Sequence, residues 1–370
     1  MVRNTLGNRL KIKTDPNSVI LAVESQGFCV SLLKSGKTEK QEGNRPSEFN
    51  KLVGSSCVSW VDFVAKDLAT EAEDVADSFG FGRKLVESLL TNKRGSYIDN
   101  DKEMGLMIPA VIVNGFDVRV NPLLILIKSN LVMTLHGTEV KRFFHLRRYA
   151  ETFIKKIKMN EPAPDKLTRI LIRILDENNG RNFDHLREIE ENGDKLSEVL
   201  ADPKTPREIL GPKIYGMKHA LIVYLGALWS TADVLNALRY GDPELLTDDE
   251  KILNQMGFLS EEINTHISLA EHLSEVLASG LEVLQSIYNN QLQILNNKLA
   301  MVVTYLTIIG TAVLVPNTIA TVMSNSAFNM TPADAGWYLA FLAISTILAV
   351  ILSWVWVKKM GWVPNRPDSG

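Results

Sequence analysis

The chain has 370 residues, a formal net charge of −3 and 45% hydrophobic residues. These averages fit a soluble enzyme as well as a membrane protein, so the positions of the apolar residues decide between those classes. The two cysteines, Cys29 and Cys57, have no CxxC spacing and no partnered histidine cluster, which argues against a disulfide framework and a zinc site.

The N-terminus reads MVRNTLGNRLKIKTDPN and lacks the apolar segment of a secretory signal peptide. We therefore expect the water-soluble part of the chain to stay in the cytosol. The sequence contains no P-loop, no GxGxxG after a strand, no GxSxG and no HExxH. It therefore predicts neither an ATP-driven pump nor an enzyme, and it predicts no bound cofactor.

Residues 1–138 are predicted to form an N-terminal α/β domain. Runs rich in β-branched and alternating apolar residues are typical of strands. Four such runs occur, at residues 18–34, 57–63, 104–113 and 116–135. Between the second and third runs, residues 67–90 predict two helices joined near Gly80 to Gly82.

Residues 139–258 are predicted to form a helical subdomain, so that an α/β unit is followed by a helical layer. The pattern predicts helices at 139–158, 164–179, 183–201 and 206–240. The third helix is acidic, with carboxylates at Asp184, Glu188, Glu190, Glu191, Asp194 and Glu198. A solvated acidic face explains this pattern; several copies gathered around an axis would instead concentrate cations.

Residues 259–298 are predicted to form a long stalk helix, and the segment from Ser260 to Lys298 contains no proline. Apolar or small residues recur there at steps of four and three, as in coiled-coil packing. They are Ile263, Ile267, Ala270, Ser274, Leu277, Leu281, Leu284, Tyr288, Gln291 and Leu295. Ser260 is the predicted N-cap, with Glu261 and Glu262 in the first turn, where the helix dipole favours negative charge.

A second apolar stripe widens the predicted buried face of the stalk beyond a two-helix seam. It consists of Leu269, Leu273, Val276, Val283, Ile287 and Ile294. Self-association around an axis is the simplest arrangement that covers both stripes. No helix breaker follows the stalk directly, so the sequence predicts one helix of about 60 residues, or about 90 Å, that continues into the next apolar segment.

Two charge-free apolar segments, at residues 299–323 and 337–357, are each long enough to cross about 30 Å of hydrocarbon. Lys298 precedes the first segment, and Lys358 and Lys359 follow the second. The connecting loop at 324–336 contains no Lys or Arg. Because basic flanks stay on the cytosolic side, the sequence predicts two membrane spans with both termini in the cytosol, including the tail at 358–370.

The order of these elements resembles the CorA family of divalent-cation channels and transporters. The resemblance rests on residues 59–113, on the run NPLLILIKSNLVMTLH, on the stalk with His266, on LTII, and on the Pro-x-Thr of Pro316 and Thr318. It implies a CorA-like funnel with an α/β cytosolic domain, a helical layer, a long stalk helix and a two-helix transmembrane domain. It also implies a homopentamer whose first span lines the pore.

The resemblance also assigns positions at the outer mouth of the pore. Phe328 and Pro332 fall on the family's Phe and Pro, and the loop acidic residue of the family becomes Ala333. The family's Gly-Met-Asn signature is replaced by Asn325, Ser326 and Ala327. Asn325 or Asn329 is the candidate to offer amide oxygens to a hydrated cation, in place of the family's asparagine.

Further inward, the resemblance places four side chains along the pore: Thr318, Leu306, Val303 and Ala300. The family usually has an asparagine at the position of Ala300. A pore lined by Ala, Val and Leu is a hydrophobic constriction of the kind that gates by dewetting. The resemblance also places Glu262 near a stalk carboxylate that binds regulatory Mg²⁺ in the family, and Lys358 and Lys359 in its cytosolic basic ring.

The function that this resemblance implies is passive transport of divalent cations, Mg²⁺ first and Co²⁺ second, across the cell inner membrane. The expected partners are four further copies of the chain, membrane lipid and divalent metal ions, with no nucleic acid. This sequence lacks both asparagine rings of the family, the one in the Gly-Met-Asn signature and the one at the position of Ala300, and this leaves two alternatives open. One is transport of another ion, such as Zn²⁺ or a monovalent cation, and the other is a non-conducting membrane sensor or scaffold.

Overall fold

The computed structural model of the protein describes residues 25–91, 96–201, 207–324 and 331–359. The chain divides into two compact units, Met1–Ala278 and Ser279–Gly370. The predicted boundaries near residues 138, 258 and 298 divide the chain more finely, and they stay predictions.

The first unit contains a seven-stranded sheet among its described residues, in the order β2-β1-β3-β7-β6-β5-β4. Neighbouring strands are antiparallel except β3 and β7, which run parallel. The strands are β1 (Gly27–Leu33), β2 (Thr38–Gly43), β3 (Ser56–Ala65), β4 (Ser96–Asp99), β5 (Glu103–Asn114), β6 (Asp117–Lys128) and β7 (Leu131–Gly137).

All four predicted strand regions contain strands in the described part of the chain. The first region contains β1, and its residues 18–24 lie outside the described residues. The last region contains two strands, β6 and β7, because the chain reverses at Ser129, whose φ is 43°. The sequence pattern does not predict β2 or β4. Both lie at the edges of the sheet and are short, so neither has the apolar periodicity of a central strand.

The described residues form nine α-helices, with 3-10 turns at Pro46–Phe49 and Pro332–Asp334. They are α1 (Asn50–Gly54), α2 (Leu68–Ser78), α3 (Arg83–Thr91), α4 (Arg142–Ile154), α5 (Ala163–Asn179), α6 (Asn182–Ala201), α7 (Arg207–Tyr240), α8 (Glu250–Met323) and α9 (Ala335–Lys359). The predicted helix pair within residues 67–90 is confirmed as α2 and α3. Gly80 between them has a φ of 77°, a conformation that glycine adopts without strain.

Both faces of the sheet are buried, which explains why its central strands are almost continuously apolar. One face packs with α2 and α3 in a cluster that includes Leu89, Leu126 and Met133. Alternate residues of the same strands point to the other face. The helices α4, α5 and α7 also contact the strands. On β5, a side chain at Gly105 would collide with Leu89, so this glycine allows α3 to approach the sheet.

A buried polar network centres on Asp62 of β3, whose side chain is fully buried. Its carboxylate accepts hydrogen bonds from the Thr134 hydroxyl at 2.5 Å and from Arg147 Nε at 2.7 Å. His136 Nε2 lies 3.2 Å from the same carboxylate. Burial alone would raise the pKa of Asp62, but the charges of Arg147 and His136 hold that pKa well below its usual range.

The predicted long helix is confirmed, but its predicted start is wrong. Helix α8 begins at Glu250 rather than at Ser260, and Asp249 accepts backbone hydrogen bonds from Lys251 at 2.8 Å and from Ile252 at 3.3 Å. Asp249 therefore caps the helix. Ser260 lies two to three turns inside it and donates its hydroxyl to Asn236 Oδ1 at 3.0 Å. The helix runs for 74 residues, longer than the predicted 60 or so.

Candidate functional site

The second unit contains two apolar helical segments, the end of α8 and the whole of α9. Their most apolar windows have mean hydropathies of 2.1 and 2.3, and only 11% of each window is buried. Ile308 and Ala312, one turn apart on α8, are buried, whereas large side chains such as Leu306 and Ile351 are exposed. One protomer therefore leaves most of this apolar surface uncovered, as expected for a surface that meets lipid or further copies of the chain.

A third helix, Leu210–Tyr240 within α7, is also long and apolar enough to cross a membrane by length and composition alone. The sequence predicts only two spans. Half of the apolar window in α7 is buried, and α7 contacts β5 and β6 of the sheet. Its apolar face is thus used for packing within the first unit.

Five threonines in the membrane segment of α8 share one hydrogen-bonding pattern. Each hydroxyl donates to the carbonyl four residues earlier, at 2.7 to 2.8 Å. The five are Thr304, Thr307, Thr311, Thr318 and Thr321. Because the proton is satisfied within the helix, each hydroxyl oxygen keeps its lone pairs for another donor. Their spacing is visible in the sequence, but the family resemblance assigns only Thr318 to the pore.

The four predicted inner pore residues all lie on α8 and are exposed within a protomer. At about 3.6 residues per turn, Ala300 and Thr318 are separated by about five whole turns and share one face. Thr307 and Thr311 fall close to that same face. Leu306 lies about a third of a turn away from it. The helix therefore brings Ala300 and Thr318 into line with two further hydroxyls, and it places Leu306 at the border of that face.

The predicted outer mouth is described only at its far end. Asn325, Ser326, Ala327, Phe328 and Asn329 lie outside the described residues. Pro332 is exposed and begins a 3-10 turn. Asp334 accepts hydrogen bonds from the backbone N–H of Thr331 at 3.0 Å, from its hydroxyl at 2.8 Å, and from Trp337 Nε1 at 3.2 Å. The acidic group of this loop thus orders the entry into α9.

The remaining predicted site residues are exposed charges. Glu262 lies on α8 one turn before the buried His266. Burial lowers the pKa of His266, and the negative charge of Glu262 offsets only part of that decrease. No group of three or more His, Cys, Asp or Glu side chains with metal-binding geometry occurs in residues 25–91, 96–201, 207–324 and 331–359. Lys358 and Lys359 lie in the last turn of α9, where cations favour the helix dipole.

The two stripes of the stalk differ in burial. Ile263, Ile267 and Ala270 of the first stripe are buried within the first unit. Leu269 and Val276 of the second stripe are 42% and 51% exposed. One protomer therefore covers the first stripe near the start of α8 but leaves the second one open.

The fold and the uncovered apolar helices define a membrane protein with a large sheet-containing unit. The family model described as CorA-like Mg²⁺ transporter protein matches residues 55–359, well over half of the chain. The chain therefore belongs to the CorA-like Mg²⁺ transporter family, a family of ion transporters and not of enzymes.

Individual relatives agree with this membership. The chain is 24% identical over 307 residues to the cobalt/magnesium transport protein CorA of Methanocaldococcus jannaschii. The aligned region covers 82% of this chain and 91% of that protein. The complete CorA magnesium transporter structure from the same organism matches with a TM-score of 0.67 at 18% identity, over 91% of this chain and 98% of that one.

Two other solved structures share the fold. The full-length CmaX protein matches with a TM-score of 0.61 at 16% identity, over 92% of this chain and all of that one (100%). The ZntB cytoplasmic domain from Vibrio parahaemolyticus has a TM-score of 0.52 at 15% identity, over 71% of this chain and 98% of that one. The two full-length structures, CorA and CmaX, confirm the predicted fold class: an α/β domain with a helical layer, a long helix and C-terminal apolar helices. The ZntB match agrees for the cytoplasmic part.

Proposed function

We propose that the chain forms a homopentameric channel in the cell inner membrane that passes divalent cations, Mg²⁺ first and Co²⁺ second, down their electrochemical gradient. The observation that carries this proposal is the family match, which extends from β3 to the end of α9 and includes both apolar helices. A relative named as a cobalt/magnesium transport protein supports the choice of ions. The exposed second stripe of α8 supports assembly around an axis. The basic flanks Lys298, Lys358 and Lys359 support a topology with both termini in the cytosol.

In the proposed pore, α8 forms the inner wall and α9 faces lipid. Mg²⁺ loses its water shell reluctantly, so a pore that carries it is best lined by groups that hydrogen-bond to that shell. The oxygens of Thr307, Thr311 and Thr318 have free lone pairs for such water molecules. Val303 and Leu306, with Ala300 inward of them, would form a hydrophobic constriction that closes by dewetting.

The outer mouth supplies the proposed selectivity. Asn325 or Asn329 offers the amide oxygens of that ring, beside Ser326 and Ala327, with Phe328 and Pro332 as its frame. On the cytosolic side, Glu262 is the proposed regulatory metal ligand, because its carboxylate is exposed and open to ligands from a partner copy.

Flux through liposomes tests the proposal directly. The purified full-length chain is reconstituted, and uptake of Mg²⁺, Co²⁺, Zn²⁺ and Na⁺ is measured against protein-free vesicles. We expect Mg²⁺ and Co²⁺ uptake without any energy source other than the gradient. Zn²⁺ or Na⁺ uptake alone would replace the proposed ions, and no uptake of any cation would overturn the channel.

The proposed role of the threonine hydroxyls on α8 has a matched test of its own. Thr318→Val keeps the side-chain volume but removes the oxygen. Thr265→Val removes a hydroxyl with the same hydrogen bond to the carbonyl four residues earlier, at 2.9 Å, in the first unit. We expect Mg²⁺ flux to fall about tenfold in the first variant and to stay unchanged in the second. Equal flux in both variants would remove Thr318 from the pathway.

A non-conducting sensor or scaffold is the second candidate function. The observation in its favour is the apolar side chains at three of the four predicted inner pore positions. Such an assembly would bind divalent cations and change its protease sensitivity on binding, yet it would give no flux in the same liposomes.

A further inference from the structure

A cavity of about 580 Å³ lies between the end of α7 and the first turns of α8, entirely within the first unit. Its volume is in the range of small-molecule binding sites, which is about 300–1,000 Å³. The proposed ion pathway does not use it. Its lining combines two cations, two aromatic rings, three amide side chains and one carboxylate.

The guanidinium of Arg239 is held in place on two sides. Its Cζ lies 5.0 Å from the centre of the Tyr240 ring. On the other side is the bare backbone of Gly257, where an added Cβ would come within 2.9 Å of both Cζ and Nη1. Arg239 takes part in none of the ion pairs found among residues 25–91, 96–201, 207–324 and 331–359. A guanidinium without a carboxylate partner is a ready receptor for an oxyanion.

A second cation and two exposed rings complete the chemistry of the cavity wall. The Lys251 side chain, in the first turn of α8, also lacks an ion pair within the described part of the chain. The rings of Tyr240 and Phe258 are 72% and 69% exposed, which is unusual for aromatic residues on the wall of a cavity. Such rings are suited to stack on a planar heterocycle.

The polar side chains narrow the class of ligand. Asn236 accepts the Ser260 hydroxyl through Oδ1 at 3.0 Å, which leaves its Nδ2 as a donor. Asn254 and Asn264 add further donors and acceptors of the kind that recognise the edge of a base. The carboxylate of Glu261 would repel a bare polyphosphate but suits the hydroxyls of a ribose.

We propose that this cavity binds a nucleoside phosphate, with the phosphates on Arg239 and Lys251, the ribose at Glu261 and the base against Phe258. This inference does not depend on ion conduction, because every residue that it uses lies in the first unit. The ligand is defined by its phosphates, its ribose and its base, so ligands that lack one of these groups test the proposal.

Calorimetry on the full-length protein in detergent, with EDTA present, tests the site with ADP, adenosine and pyrophosphate. We expect saturable binding of one ADP per chain, and binding of adenosine and of pyrophosphate each weaker by about tenfold or more. Equal affinity for ADP and pyrophosphate would reduce the cavity to a simple anion site and overturn the proposal, as would the absence of saturable ADP binding.

Matched variants locate the binding. Lys251→Gln is expected to weaken ADP about tenfold, whereas Lys218→Gln, on an exposed lysine of α7, should leave it unchanged. Gly257→Ala displaces the Arg239 guanidinium without changing charge, and because that group ends a flexible side chain the fold survives. Gly226→Ala on α7, where an added Cβ meets nothing, is its control. ADP affinity that is unchanged in Lys251→Gln and Gly257→Ala would place the ligand elsewhere and overturn the assignment.

Discussion

Removing the buried carboxylate of Asp62 is expected to be among the most destabilising single changes in the first unit. Its side chain is fully buried and that of Arg147 is 7% exposed, so water cannot replace either partner. Arg147 also donates to the backbone carbonyls of Ser25 at 2.8 Å and Gln26 at 3.2 Å, which joins α4 to the start of β1. Removing the charge of Asp62 leaves a buried guanidinium without its counter-ion.

Asp62→Asn makes this change with almost no change of volume. Breaking one partner of a buried ion pair costs about 3–5 kcal/mol, and the amide can still accept one of the former hydrogen bonds. We therefore expect the free energy of unfolding to fall by about 3 kcal/mol at neutral pH. Urea unfolding of the full-length protein in detergent, followed by circular dichroism, measures this loss.

An exposed aspartate provides the control. Asp77→Asn removes a carboxylate that lies 3.0 Å from Arg83, but both side chains are more than half exposed. Exposed pairs contribute about 0–1 kcal/mol, so this variant should unfold almost like the wild type. If Asp62→Asn loses no more stability than Asp77→Asn, the ion pair of Asp62 and Arg147 does not stabilise the fold.

The pH dependence of the same pair has a defined sign. The folded pKa of Asp62 lies below its unfolded value, so its stabilisation is fully present above the unfolded value, which is about 4. It is lost as the pH falls through the folded pKa. The difference in stability between wild type and Asp62→Asn should therefore be constant from pH 6 to pH 5, about one unit above that value, and shrink only in stronger acid.

Three further predictions concern packing, assembly and the pore. Gly105→Ala should lower the free energy of unfolding by about 1–3 kcal/mol, because the new methyl group collides with Leu89, whereas Gly54→Ala meets nothing and should not. Val276→Glu places a charge on the exposed second stripe and should convert the oligomer to smaller species in a mass measurement, while Ser268→Glu on an exposed polar position should not. Leu306→Asn should hydrate the proposed constriction and raise Mg²⁺ leak in liposomes, and unchanged or lower leak would contradict its role.

The elements with strong local signals could be predicted from the sequence. The helix pair α2 and α3, the strand β5 and both apolar segments follow from periodicity or length alone. The sequence predicts the N-cap of α8 at Ser260, eleven residues after the observed cap Asp249, although aspartate is an ordinary capping residue. The predicted start follows the apolar periodicity that begins after Ser260, but the helix extends back to the nearest group that can satisfy its free N–H donors.

The Asp62 network could not be predicted because its members are distant in sequence. Asp62 and Thr134 meet because β3 and β7 pair in parallel, and that pairing places them opposite each other. Arg147 contacts Asp62 only because α4 packs on the sheet. The threonine row of α8 is the opposite case: its spacing can be read in the sequence, and its hydrogen bonds follow from helix geometry alone.

The absence of charge from the first span fits a pathway for a hydrated ion. A ring of carboxylates in the span would bind Mg²⁺ directly, and a tightly bound ion leaves a pore slowly. Hydroxyl oxygens whose protons are already satisfied only exchange hydrogen bonds with the water shell, at little cost. Such a wall distinguishes ions poorly, so in the proposed channel polar groups at the end of the span would provide the discrimination. The loop that follows α8 has such groups in its sequence, the amides of Asn325 and Asn329.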